Sequence, residues 1–125
     1  MKTPQRNLHI ALIDHITALG YDVAGFETFP RVEVINFNTS AATDKDVEAF
    51  PISFSIDVIT RSGDPTESLD IADEVLDGLE DITIEGWPFC SIFVESIQAL
   101  HEDDSQGEIY RQIITVTAEL LQTTT

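Results

Sequence analysis

The side chains able to do chemistry in this sequence are three histidines, one cysteine and 23 carboxylates set against six lysines and arginines. His9 and His15 fall in one helical segment but point roughly 120° apart around it, so they do not converge on a metal ion and read as packing or interface residues. Glu102-Asp103-Asp104 has the charge of a calcium ligand run. It lacks the alternating carboxylates, central glycine and distal glutamate of a calcium loop, and reads as a solvated hairpin tip. His101, beside it, has no partner visible in the sequence. A single cysteine, Cys90, can form neither an internal disulfide nor a cysteine-based zinc site. Acid–base catalysis needs two carboxylates in different environments within a cleft, whereas the densest group of acids here sits together on one wet face. No phosphate-cradling glycine loop, zinc spacing or nucleophile elbow is present. Trp87, between Gly86 and Pro88, reads as a lid on the core. The expectation is a protein without catalytic residues, bound metal or cofactor.

The densest pattern lies between Pro65 and Ile82. On a helical wheel, Glu67, Asp70, Asp73, Glu74, Asp77, Glu80 and Asp81 fill an arc of roughly 140°. Leu69, Ile71, Ala72, Val75, Leu76, Leu79 and Ile82 fill the opposite arc, with no basic residue in the segment. The spacing predicts a helix with Leu69 among its buried residues and a sheet of negative charge outside. Like charges three and four positions apart, such as Asp70–Asp73 and Asp73–Asp77, each cost a few tenths of a kcal/mol. A chain that tolerates this either uses the charge or works where salt screens it, as in a halophilic or marine host.

At 125 residues, the chain is expected to form one domain spanning 1–125. The net charge of −17 is uneven. Residues 1–61 hold eight acids and five bases, whereas residues 62–125 hold fifteen acids and one base, Arg111. Such a surface repels nucleic acid and anionic membrane. No apolar run is long enough to span a bilayer and the N-terminus has no signal-peptide pattern, so assembly in a cytoplasm is expected.

Pro4 suits a first helical turn, Leu8, Ala11, Leu12, Ile16 and Leu19 repeat at helical spacing, and Gly20 supplies a stop. Ile10 and Ile13 lie off that stripe. Together with His15 they mark a second face of this helix as a candidate subunit interface. Arg31–Phe37 reads as a strand, and Asn38–Ala49 as a long polar loop, a length that is usually functional or mobile. Ile52, Phe54, Ile56 and Val58 alternate with Ser53, Ser55 and Asp57 in a half-buried strand. Asp64, Pro65 and Glu67 suit a capping box at the start of the acidic helix. Ser91–Leu100 and Glu108–Leu121 read as a hairpin joined through His101–Gly107. The predicted fold is α+β, with two helices packed on one face of a mainly antiparallel four-stranded sheet in the order α-β-β-α-β-β.

This order resembles the tail terminator, or tail-completion, family of long-tailed bacteriophages (minor tail protein U-like). The resemblance spans nearly the whole chain. It is carried by the N-terminal helix, by Phe29-Pro30 before the first strand, and by the joint from Arg61 to Val75. In that joint Gly63, Glu67, Leu69, Ala72 and Val75 fill the family's glycine, glutamate and sheet-facing positions, and the last strand opens Tyr110-Arg111-Gln112-Ile113. The resemblance implies a structural virion protein of the tail-neck region, assembled in the host cytoplasm. Its subunits would form a homo-oligomeric, hexameric ring that caps the tail tube, halts its polymerisation and joins head-completion and neck proteins. Within such a ring, Asn38, Thr39, Asp44, Lys45 and Asp46 of the loop, with His101, Glu102, Asp103 and Asp104 of the tip, would contact partners. The acidic face would line the bore, where genome DNA passes without specific binding, or meet a basic partner ring. Another neck or head–tail connector component, and an acidic DNA mimic that occupies a DNA-binding enzyme, are the alternatives.

Overall fold

Alternation of β-branched and aromatic residues builds the centre of the molecule. A computed structural model describes residues 4–23, 29–40, 49–61 and 64–121. In it, β1 (Arg31–Thr39), β2 (Ala49–Thr60), β3 (Phe89–Asp104) and β4 (Gly107–Leu121) form one antiparallel sheet in the order β1-β2-β4-β3. Two helices, α1 (Pro4–Ala18) and α2 (Thr66–Leu76), pack on it, so the expected fold is the observed one. Ile52, Phe54, Ile56 and Val58 of β2 and Ile114, Val116, Ala118 and Leu120 of β4 project to the helix side and are buried. Leu8, Leu12 and Ile16 of α1 and Ile71, Ala72 and Val75 of α2 meet them in one core.

Local chemistry sets the helix ends. Gly20, at φ 96°, turns the chain out of α1, and its N–H donates to Thr17 O at 2.9 Å; glycine carries that left-handed conformation without a side-chain penalty. At the start of α2, Asp64 Oδ1 accepts the Thr66 N–H at 2.8 Å. Pro65 takes the capping position, one residue earlier than the first-turn site predicted, and no side chain caps it.

The acidic helix differs from expectation in length and rotation. It ends at Leu76, because Asp77 is extended and Gly78 turns left-handed at φ 79°; a separate 3₁₀ turn, Leu79–Asp81, follows. Its buried residues are Ser68, Ile71, Ala72 and Val75, and Leu69 is 47% exposed. The apolar arc is wider than the stripe a sheet covers, and Ser68 stands inside it. Gln112 of β4 donates from Nε2 to Ser68 Oγ at 3.2 Å, and Ser68 Oγ–H donates to Pro65 O at 2.8 Å. A buried amide must be satisfied, so the helix turns Ser68 inward and Leu69 outward.

Parts of two predicted loops prove to be strand among the described residues. Asn38 and Thr39 pair with Ser53 and Ile52, and Thr39 Oγ1–H donates to Gln5 Oε1 at 2.6 Å. Asp44, Lys45 and Asp46, predicted in the same loop, lie outside the described residues. At the other end, His101–Asp104 continue β3, and only Ser105 and Gln106 separate it from β4. Cross-strand pairing satisfies the backbone there: His101 stacks on Tyr110 with ring centres 4.5 Å apart, and Gly107 closes the turn at φ 124°.

The orientation of α2 separates two substitutions. Val75→Asp is expected to cost several kcal/mol and abolish soluble protein, because it buries an unpaired charge. Leu69→Asp should stay folded and soluble, with denaturant midpoints within about 0.5 kcal/mol of the parent.

Candidate functional site

The face of the sheet away from the helices carries an ordered set of ion pairs. Strand register places Arg31, Ile59, Arg111 and Leu100 in one cross-strand row and Glu33, Asp57, Ile113 and Gln98 in the next. Asp57 is 1% exposed, although its position in the alternation predicts a wet side chain. Arg111 reaches it from the diagonal position on β4, donating from Nη2 to Asp57 Oδ2 and from Nε to Oδ1 at 3.4 Å. Arg111 Nη1 also donates to Glu102 Oε1 at 3.3 Å. The guanidinium pKa is raised, first by its hydrogen bond to Asp57. Arg61 forks onto Asp104, Nη1 to Oδ1 at 2.8 Å and Nη2 to Oδ2 at 2.6 Å. Arg31 lies 3.6 Å from Glu33, and Arg31 and Arg61 each sit 4.8 Å from the centre of the Phe29 ring. Of the four described basic side chains, Arg6 on α1 lies outside this network. The described surface therefore offers no basic patch to a phosphate backbone. Asp57 and Arg111 were not among the sequence candidates; the one available signal was a lone base among fifteen acids.

The predicted acidic face is present. Glu67, Asp70, Asp73, Glu74 and Asp77 are exposed along α2 and its end, and Glu80 and Asp81 are exposed on the 3₁₀ turn. Tyr21, just beyond α1, donates its hydroxyl to Glu74 Oε2; burial first, then that bond and the nearby acids, push the phenol up to about 12. Tyr21, Pro30, Asp64, Thr66, Glu67, Asp70 and Ile71 border an open groove beside this face.

The three interface candidates on α1 separate. Ile10 is 44% exposed, Ile13 is half-buried, and His15 turns toward α2, where its Nε2–H donates to Val75 O at 2.9 Å. His9 faces Phe37 at 5.1 Å between ring centres, so the two helical histidines do not meet. Trp87 is 5% exposed and edge-on to Phe50 at 5.5 Å, a core residue. Cys90 is half-buried on β3, and burial pushes its thiol up to about 11, which leaves it protonated and unreactive at neutral pH.

At the hairpin tip the structure supplies partners that the sequence did not show for His101. Asp103, two residues on, and Glu108, opposite Asp103 across the hairpin, bring ligand-type atoms within 4.8 Å of one another and of His101. All three are exposed, and this is where a cation would sit among the described residues. In that same geometry His101 Nε2 lies 3.4 Å from Glu108 Oε1 and 3.7 Å from Asp103 Oδ1. Asp104 points to the opposite face. Its carboxyl is held down to about 2, first by Arg61 and then by the Gln106 N–H.

No family model and no curated protein matches the chain. Among solved structures it is similar to a chain of a particle described as the virion of a native gene transfer agent. The TM-score is 0.74 at 16% identity, covering 97% of this chain and 99% of that one. The two share a fold from end to end. No helix among the described residues is long and apolar enough to cross a membrane.

Two measurements test these electrostatics. Arg111→Ala strands the buried Asp57 carboxylate and should cost about 3–5 kcal/mol in denaturant unfolding, while Asp57→Asn with Arg111→Gln should recover most of that loss. Asp104 has a depressed folded pKa, so its contribution is present above the unfolded value of about 3.9 and is lost as pH falls toward about 2. Asp104→Asn should therefore flatten the fall of melting temperature across that window.

Proposed function

We propose that this chain is a structural protein of a phage-like virion, and within that class a tail terminator. The observation that carries the reading is the end-to-end likeness to a chain of a gene transfer agent virion, at a TM-score of 0.74. It joins the sequence resemblance described above, which was drawn from the order of elements and from the joint leading into α2. In this reading the subunit works without chemistry. Copies close into a hexameric ring at the end of the tail tube, stop further addition of tube protein, and present the opposite side to neck and head-completion proteins.

The exposed carboxylates of α2 and the 3₁₀ turn have a use in such a ring. Facing the bore, they repel the phosphate backbone, so DNA slides through without pausing. Facing outward, they dock a basic partner ring and speed its encounter. The hairpin tip, exposed from His101 to Glu108, suits contact with tube or neck proteins, with His101, Glu102, Asp103 and Asp104 at its end. The internal use of Arg31, Arg61 and Arg111 supports a virion part that does not bind the genome.

Light scattering and negative-stain imaging of the purified protein, alone and mixed with tail tubes or with heads, test the reading. Rings, alone or seated on tube ends, are the expected result. A protein that remains monomeric at high concentration and ignores tail tubes overturns the terminator function; attachment to heads alone reassigns it to the head side of the neck.

A further inference from the structure

We infer that the tip of the β3–β4 hairpin binds a divalent transition-metal ion of the zinc class, with His101, Asp103 and Glu108 as its protein ligands. The inference concerns the single subunit and does not rest on the ring reading.

Strand register assembles the three side chains. Asp103 stands directly opposite Glu108, and His101, two residues before Asp103, stands opposite Tyr110. Residues two apart on a strand share a face, so one imidazole, two carboxylates and a phenol occupy one side of the ribbon. Pairing continues through these positions to Asp104 and Gly107, which fixes the backbone that carries the ligands. The Tyr110 ring stacks on His101, 3° from parallel with centres 4.5 Å apart, and orients the imidazole. In that pose His101 Nε2 is 3.4 Å from Glu108 Oε1 and 3.7 Å from Asp103 Oδ1, and all three ligand atoms lie within 4.8 Å of one another. Ligand atoms about 2.0–2.1 Å from a tetrahedral zinc ion are roughly 3.4 Å apart. The imidazole and each carboxylate therefore already stand near the spacing of a coordination tetrahedron, with its fourth corner open to solvent.

Charge supplies a separate argument. Like charges directly opposite one another on paired strands are destabilising, and Asp103 and Glu108 take that arrangement. Acids on the other side of the ribbon are relieved by arginines, Asp104 by Arg61 and Glu102 by Arg111. Among the described residues no arginine pairs with Asp103 or Glu108. Their field reaches Tyr110, whose phenol pKa is raised by desolvation first and then by the charges of Glu108, Asp64 and Asp103. A protonated His101 offsets one of the two opposed charges; a divalent cation offsets both. The imidazole selects the kind of cation, because calcium and magnesium take oxygen ligands whereas a nitrogen with two carboxylates suits zinc and its neighbours. In sequence the tip presents Glu102-Asp103-Asp104, a poor calcium run; the fold keeps one residue of that run and joins it to His101 and Glu108.

Titration of the full-length chain with zinc chloride tests the site, at about 0.15 M salt to screen diffuse attraction between an acidic surface and any cation. Calorimetry should show one strong site per chain, and the His101 imidazole resonances should be the first to move in NMR spectra. His101→Ala and Glu108→Gln, with folds checked by circular dichroism, should each weaken binding by at least the roughly tenfold that loss of an outer-shell partner costs. His9→Ala removes an imidazole from α1 and Asp77→Asn a carboxylate from the acidic face; both should bind zinc as the parent does. Equal zinc affinity in His101→Ala and the parent, or magnesium displacing zinc at equal concentration, overturns the site in favour of loosely held counterions. A parent chain that binds no zinc overturns it outright.

Discussion

The fold is governed by a mismatch between the amount of sheet and the amount of helix available to cover it. Fifteen residues of α1 and eleven of α2 make rods of about 22 and 16 Å. The β3–β4 hairpin, with strands of sixteen and fifteen residues, extends about 50 Å. Burial is complete where helix lies over sheet, along β2 and the second half of β4. Elsewhere the sheet must close itself or stay open. It closes itself on the far face, where Arg111 lies against Asp57 and long polar side chains stand in for a missing layer. It stays open along β3, where Phe93, Val94 and Ile97 reach solvent.

The buried ion pair follows from that arrangement. An aspartate at the middle of a central strand would carry a heavy desolvation cost if left alone. Arg111 supplies two hydrogen bonds to it and a third to Glu102, which holds the diagonal between β2, β4 and β3. Arg61 and Asp104 tie the end of β2 to the end of β3 in the same way. The described arginines other than Arg6 are thereby spent inside the subunit, and the outer surface is left to the acids of α2 and the 3₁₀ turn. Structural ion pairs and surface charge are thus two outcomes of one shortage of bases.

Much of the architecture was legible in the residues. The alternation in β2, the helical spacing of Leu8, Leu12 and Ile16, and the glycine stop at Gly20 each depend on neighbours a few positions away, and each holds in the folded chain. Legibility failed where a distant residue decides. Ser68 looks like an incidental polar residue until Gln112 is brought 3.2 Å from it, which sets the rotation of α2 and exposes Leu69. Asp57 looks like a solvated strand position until Arg111 arrives from β4. His101 acquires Glu108 because hairpin register, invisible in composition, sets those strands opposite each other.

The sequence by itself determined the order of elements, the amphipathic character of the helices and the acidity of the second half, because these follow from local spacing and from counting charge. Tertiary structure alone decided which edge of α2 is buried, which carboxylate lies beneath an arginine, and which strand is left without a helix over it. Those outcomes depend on contacts between residues some forty to sixty positions apart, such as Ser68 with Gln112 and Asp57 with Arg111. Only the folded chain brings such residues within hydrogen-bond reach, and there the cost of leaving a buried polar group unpaired outweighs a wheel's preference for an apolar one.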